Sequence, residues 1–96
     1  MPNEAFQIQF DPNTRSQLRV LRSRYKITQK KVGFILKQIQ QDPFNLPWEH
    51  KRLKDEGACG IFISIKLNDK DRICYRVDPK LAIITVLSIL GHYGDH

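Results

Sequence analysis

The sequence predicts an α+β domain in the order β-α-α-β-β-β, with a helical hairpin packed on one face of a mostly antiparallel four-stranded sheet. Three observations predict it. Phe6 to Phe10 alternates strictly between apolar and polar residues. Between Pro12 and Gln41, apolar residues recur at spacings of three and four. From Gly60 to Leu90 the pattern turns to period two and then to an almost continuous apolar run. The 96 residues suffice for one domain, 1–96, with one modest core.

The alternation at Phe6-Gln7-Ile8-Gln9-Phe10 predicts a strand with one buried face. Asp11-Pro12 suits a helix start, because Asp can accept from the first free N–H groups and Pro fits the first turn. Helix one is expected to about Tyr25, with Leu18, Leu21 and Tyr25 inward and Arg15, Arg19 and Arg22 as a ridge beside them. Thr28 is a second cap, opening a helix from about Gln29 to Gln41 with Val32, Ile35, Leu36 and Ile39 as its apolar stripe. Gly33 inside it suggests a close approach of the two helices. Asp42-Pro43 ends the second helix.

Residues 42–57 read as a long loop, a common place for function. Phe44, Leu46 and Trp48 are expected to pin it to the body. Beyond Gly60, Ile61, Ile63, Ile65 and Leu67 share one face, with Phe62, Ser64 and Lys66 opposite. After an Asn68–Asp71 turn, Ile73, Tyr75 and Val77 share a face, with Arg72, Cys74 and Arg76 opposite. Leu81 to Leu90 reads as a central strand buried on both sides, stopped by Gly91.

Charge narrows the partners. The net charge is +6, and a strongly basic small protein often meets nucleic acid or an acidic protein. Pro12 to Gln41 holds eight basic residues and no acidic one. No apolar run approaches the ~18 residues of a membrane span. The start carries no basic head or apolar stretch of a signal peptide. Cys59 and Cys74 are read as reduced thiols of a cytoplasmic protein. The histidines and cysteines have no metal-ligand spacing, so neither metal nor other cofactor is expected.

The helices must cover the face bearing Ile61, Ile63, Ile65, Ile73, Tyr75 and Val77, where the apolar area lies. The other face then carries Lys66, Arg72 and Arg76, with His92 and Tyr93 leaving the last strand near it. Glu49, His50, Lys51, Arg52 and Lys54 lead into the same hairpin. Lys, Arg, His and Tyr around one groove suit a phosphodiester. The 2′-OH of RNA can attack the adjacent phosphate if a base takes its proton, cations stabilise the added negative charge and an acid protonates the leaving oxygen. His92 is a natural acid or base near neutral pH, and Arg72 offers a fixed fork to phosphate oxygens. An ion pair of Arg72 with Asp71 or Asp69 is the ordinary alternative.

The order strand, helical hairpin, three strands resembles the RelE/ParE superfamily of toxin–antitoxin toxins. The residues that carry the resemblance are Asp42-Pro43-Phe44, His50-Lys51-Arg52-Leu53, Ile65-Lys66-Leu67, Asp71-Arg72-Ile73-Cys74-Tyr75-Arg76-Val77, and Val86 to His92 ending in Gly-His. The resemblance covers nearly the whole chain, with these specific matches in its second half, and the terminal His92-Tyr93 is similar to the YoeB branch. The resemblance implies a ribosome-dependent mRNA endonuclease. It implies Arg72 at the scissile phosphate, Lys66 adding charge, His92 as general acid and Tyr93 as an orienting group. Glu49 or His50 is the candidate general base. Lys51, Arg52, Lys54, Arg76, Arg15, Arg19, Arg22, Lys30 and Lys31 are the candidate contacts to RNA or ribosome. The implied partners are a cognate antitoxin, mRNA and ribosomal RNA, with no membrane and a monomeric free toxin. Alternatives are a ParE-like inhibitor of DNA gyrase without catalysis, and an inactive basic RNA-binding module. Two departures stand out. Tyr93-Gly94 occupies the place of a basic pair common in relatives, and Asp55 to Gly60 resembles an insertion.

Overall fold

Among the described residues, five strands form one sheet in the order β1-β5-β4-β3-β2. They are β1 (Gln7–Phe10), β2 (His50–Leu53), β3 (Ile61–Lys66), β4 (Arg72–Asp78) and β5 (Ile83–Ser88). Two helices, α1 (Pro12–Arg24) and α2 (Lys26–Gln41), lie between β1 and β2 in the chain. The computed structural model describes residues 6–24, 26–53, 60–68 and 70–89, with side chains described for all but 21–24, 26–28 and 53. The expected α+β architecture with a helical pair on the sheet is present. The sheet has five strands rather than four.

The added strand lies within the expected loop. His50↔Ile65, Lys51↔Ser64, Arg52↔Ile63 and Leu53↔Phe62 pair antiparallel. His-Lys-Arg-Leu shows no apolar alternation because β2 is a sheet edge, where charged side chains discourage pairing with another chain. At the opposite edge, β1 runs parallel to β5, and the remaining neighbours are antiparallel.

The core lies between the sheet and the helices. Val32, Ile35 and Ile39 of α2 meet Ile63, Ile65, Ile73, Tyr75, Val77, Ile84, Val86 and Ile89. Each fully buried aliphatic side chain stabilises the fold by about 1.5–3 kcal/mol relative to exposure. Leu36 is only partly buried at the rim. Leu46 and Trp48 also pack against this core, as expected of loop anchors. Phe44 does not: it is exposed, with the Arg52 guanidinium 5.1 Å from its ring centre.

Helix α1 starts as expected. The Thr14 N–H donates to Asp11 Oδ1 at 2.9 Å, filling one of the free donors of the first turn. Two polar side chains then fasten α1 to β5. Thr14, wholly buried, donates from Oγ1 to the Val86 carbonyl at 2.9 Å. The Gln17 side-chain carbonyl accepts from the Ile89 N–H at 2.6 Å. Helix α2 begins at Lys26 rather than near Gln29, so Thr28 lies inside the helix and is not its cap. Gly33 does not mark a close helix approach: it is exposed, and a Cβ there would meet nothing within 4 Å.

The last strand is shorter than the Leu81–Leu90 run. It spans Ile83–Ser88 and alternates, with Ile84 and Val86 buried and Ile83, Thr85 and Leu87 half-buried. Leu81 is 67% exposed in the preceding turn, where Ala82 takes a left-handed φ of 55°. The expected burial on both faces is incomplete: on the side opposite the helices Ser88 is buried, while Ile83, Thr85 and Leu87 are only half-buried. Opposite β5, Tyr75 pairs with Val86 and Cys74 with Ser88, leaving Leu87 without a partner on β4.

Candidate functional site

Strand β4 divides its residues between two faces. Ile73, Tyr75 and Val77 point into the core, so Arg72, Cys74, Arg76 and Asp78 lie on the opposite face. The β3–β4 ladder is regular from Ile61↔Val77 to Lys66↔Arg72. Residues directly opposite share a face. Lys66 therefore stands beside Arg72, both half-buried.

The turn supporting this pair is held tightly. Asn68 Oδ1 accepts from the Lys70 and Asp71 N–H groups, each at 2.8 Å. The Leu67 N–H donates to the Asp71 carbonyl at 2.9 Å. From α2, Lys31 Nζ donates to the Leu67 carbonyl at 2.6 Å. Lys31, a candidate nucleic-acid contact, is thus engaged in holding the turn before Arg72. Among the described residues, no ion pair joins Arg72 to Asp71.

The two candidate bases part company. Glu49 Oε2 lies 3.8 Å from Lys66 Nζ, and the Lys66 N–H donates to the Glu49 carbonyl at 3.0 Å. The Glu49 carboxylate therefore stands at the Lys66–Arg72 end. His50 pairs with Ile65, which is a core residue, so its ring leaves the edge on the helix side. His50 Nδ1 is 2.7 Å from the Trp48 carbonyl. The two candidate bases thus stand on opposite sides of the sheet edge. A one-residue step along a strand reverses direction, and only Glu49 lies by the two cations.

Next along this face runs a row of Lys51, Ser64, Cys74 and Ser88 across four strands. Ser64, Cys74 and Ser88 are buried, and Cys74 Sγ lies 3.6 Å from Ser64 Oγ. Cys74 forms no disulfide; Cys59 lies outside the described residues. These short side chains form a low floor between longer basic ones. Beyond it, Phe62, Arg76, Thr85 and Gln9 form another row. The Arg76 stem lies over Gly60: a Cβ at Gly60 would come 2.9 Å from Arg76 Cγ and 2.6 Å from the Val77 carbonyl oxygen.

The remaining candidates are distributed unevenly. Arg52 pairs with core-facing Ile63 and so leaves the edge on the helix side, over Phe44. Arg15, Arg19 and Lys30 are exposed on the helical layer, across the sheet from Arg72. Arg22 belongs to α1, but its side chain is not among those described. Lys54, His92 and Tyr93 lie outside the described residues. The sequence reading overlooked Thr14 and Gln17. Thr14 sits four residues before Leu18, so extending the stripe one turn back would have found it.

Among the described residues, no helix is long and apolar enough to cross a membrane, which says nothing of β-barrels.

The fold is shared with known toxins. The chain superposes on the YoeB dimer structure from Staphylococcus aureus with a TM-score of 0.76 and 24% identity, covering 93% of this chain and 99% of that one. The YoeB/ParE toxin from Agrobacterium tumefaciens matches with a TM-score of 0.78 at 16% identity, covering 91% and 99%. RelE in the archaeal RelE–RelB complex from Pyrococcus horikoshii matches with a TM-score of 0.75 at 16% identity, covering 91% and 94%. No family model and no curated protein sequence matches the chain. The chain thus has the RelE/ParE toxin fold, in its RelE- and YoeB-like form.

Proposed function

We propose that this chain is the toxin of a type II toxin–antitoxin pair and cleaves mRNA on the ribosome. The observation that carries the proposal is the trio Glu49, Lys66 and Arg72 at one end of the sheet face opposite the helices. It supplies a carboxylate base and two fixed cations where RNA needs a base and charge stabilisation. Glu49 takes the proton of the 2′-OH. The 2′-oxygen bonds to phosphorus as the bond to the 5′-oxygen breaks, leaving a 2′,3′-cyclic phosphate. Arg72 and Lys66 hold the phosphate oxygens as charge builds. His92 gives the leaving 5′-oxygen its proton, and Tyr93 orients the substrate; these two roles rest on the resemblance alone. The balance of acid, base and charge needs no metal ion.

The proposed partner is a cognate antitoxin, in keeping with the RelE–RelB complex whose toxin shares this fold. The basic helical layer, bearing Arg15, Arg19 and Lys30, then meets ribosomal RNA or an acidic antitoxin. A gyrase-directed activity is the second reading, favoured by the likeness to the YoeB/ParE toxin of Agrobacterium tumefaciens.

Induction in a bacterium with mapping of transcript ends separates these. Cuts in translated messages, lost with Arg72→Ala and His92→Ala, are expected. Growth arrest with intact messages and DNA damage would establish the gyrase reading instead.

A further inference from the structure

The sheet face opposite the helices continues past the trio to a hollow of about 240 Å³ lined by Gln9, Arg76, Asp78, Leu81, Ile83 and Thr85. We propose that this hollow is a nucleobase subsite that prefers guanine and reads a base about two to four nucleotides from the cleaved position. The proposal rests on the RNA-cleaving reading of this face and extends it to substrate selection.

The lining comes from neighbouring register rows. Arg76, Thr85 and Gln9 stand side by side on β4, β5 and β1. Asp78 pairs with Ile83 one row further, two residues beyond Arg76 on the same face of β4. Arg72 and Arg76 share that face too, four residues apart, or about 13 Å along the strand. That distance spans about four nucleotides at the ~3.4 Å rise of a stacked strand, and fewer of an extended one. A strand with its phosphate at Arg72 therefore reaches the hollow within a short oligonucleotide.

The chemistry of the lining fits a base better than a phosphate. A phosphate would gain from Arg76 but be repelled by Asp78. A base has an apolar face and a polar edge, and the hollow offers both surfaces. Ile83 and the exposed Leu81 give an aliphatic wall. Arg76 donates, Asp78 accepts, and Gln9 and Thr85 can do either. Among the described residues, no ion pair joins Arg76 to Asp78, so the pair is open to a shared ligand. The pairing edge of guanine carries an acceptor beside two donors, which this set matches; splayed single-stranded bases are commonly read on that edge. Two features hold the readers still. Asp78 Oδ1 accepts from the Lys80 and Leu81 N–H groups at 3.1 and 3.2 Å. Gly60 leaves room for the Arg76 stem to lie against the backbone.

The test titrates the isotope-labelled full chain with short 2′-O-methyl RNA strands, which have no free 2′-OH to attack. One carries a guanine and one an adenine in an otherwise uridine strand. Amide shifts at Gln9, Asp78, Leu81 and Thr85 are expected with the guanine strand, whose Kd should be lower. Asp78→Asn keeps the oxygen that holds the turn, and it should weaken guanine binding about tenfold, within the range of one good base contact. Gln9→Ala should weaken it less. Equal affinity for the two strands, or shifts confined to the Lys66–Arg72 end, overturns the subsite. Cleavage mapping on wild type and Arg72→Ala tests the parent reading separately. Guanine-selective shifts without cleavage would keep the subsite and remove the nuclease. Cleavage without those shifts would do the reverse.

Discussion

The two faces of β4 differ more than any two surfaces of the molecule. On the helix side, Ile73, Tyr75 and Val77 are wholly buried. On the other, Arg72 and Arg76 are half-buried and flank Cys74. These residues alternate along seven positions of one strand. The difference teaches how charge is held still: each cation is one peptide unit from a side chain locked in the core. Arg15, Arg19 and Lys30 are exposed, and their long side chains suit adaptable, salt-sensitive contact.

The largest expected effect tests that contrast directly. Arg72→Ala should lower mRNA cleavage by about 10²–10³-fold, as for the loss of one fixed charge-stabilising donor, with thermal stability little changed. Cleavage that survives would place the chemistry elsewhere. Glu49→Gln should cost at least about 10²-fold in single-turnover rate, in the range for general-base removal. His50→Gln should cost far less, since His50 leaves the sheet on the helix side. The reverse ranking would refute the assignment of faces.

Stability changes should come next, and they probe the covered side. Gly60→Ala forces a Cβ into the Val77 carbonyl at a φ of 126°; strain of this kind costs about 1–3 kcal/mol, readable by thermal or urea unfolding. Its effect should also reach Arg76. Tyr75→Phe removes the 2.9 Å bond from the Tyr75 hydroxyl to the Pro43 carbonyl, costing about 1–2 kcal/mol.

The same phenol gives a pH signature. Burial first, and the Asp42 carboxylate second, push the Tyr75 phenol well above its ordinary value of 10.0. The unfolded chain then releases this proton at lower pH than the folded one. The contribution is complete below about pH 10 and is lost as pH rises further. Tyr75→Phe should flatten that alkaline decline; an unchanged slope would show that Tyr75 does not titrate there. The smallest effect concerns the exposed helix surface. Gly33→Ala should stabilise the protein by about 0.5–1 kcal/mol, because the site is open and α2 gains helix propensity.

What the sequence made legible follows from periodicity. Ile61 to Leu67 and Ile73 to Val77 alternate because one face is buried, so the pairing of Lys66 with Arg72 could be foreseen. Asp11-Pro12 announced α1 through its free N–H groups. The strand β2 could not be foreseen, because His50-Lys51-Arg52 obtains its partners from β3 and buries little of its own. For the same reason the direction of His50 was hidden. A residue's face is set by register with a neighbour, which a charged edge strand does not advertise. The contact of Lys31 with the Leu67 carbonyl joins residues 36 apart, and no local pattern encodes it. The likeness to known toxins carries the fold and leaves the roles of Glu49 and Arg72 to experiment.

The unpaired Leu87 has a consequence for the phase of β5. In a regular ladder Leu87 would face Cys74, and Ser88 would fall on the helix side. One extra residue resets the count, as a bulge does. Ser88 then lies opposite Cys74, and Ile89 enters the core wholly buried. Ile89 takes its direction from this one-residue offset. Closing it with Ser88 moved to the helix side would put a leucine into the polar floor and a hydroxyl into the core. The offset therefore works as a punctuation mark in β5, keeping Ser88 in the polar floor while Ile89 returns to the core.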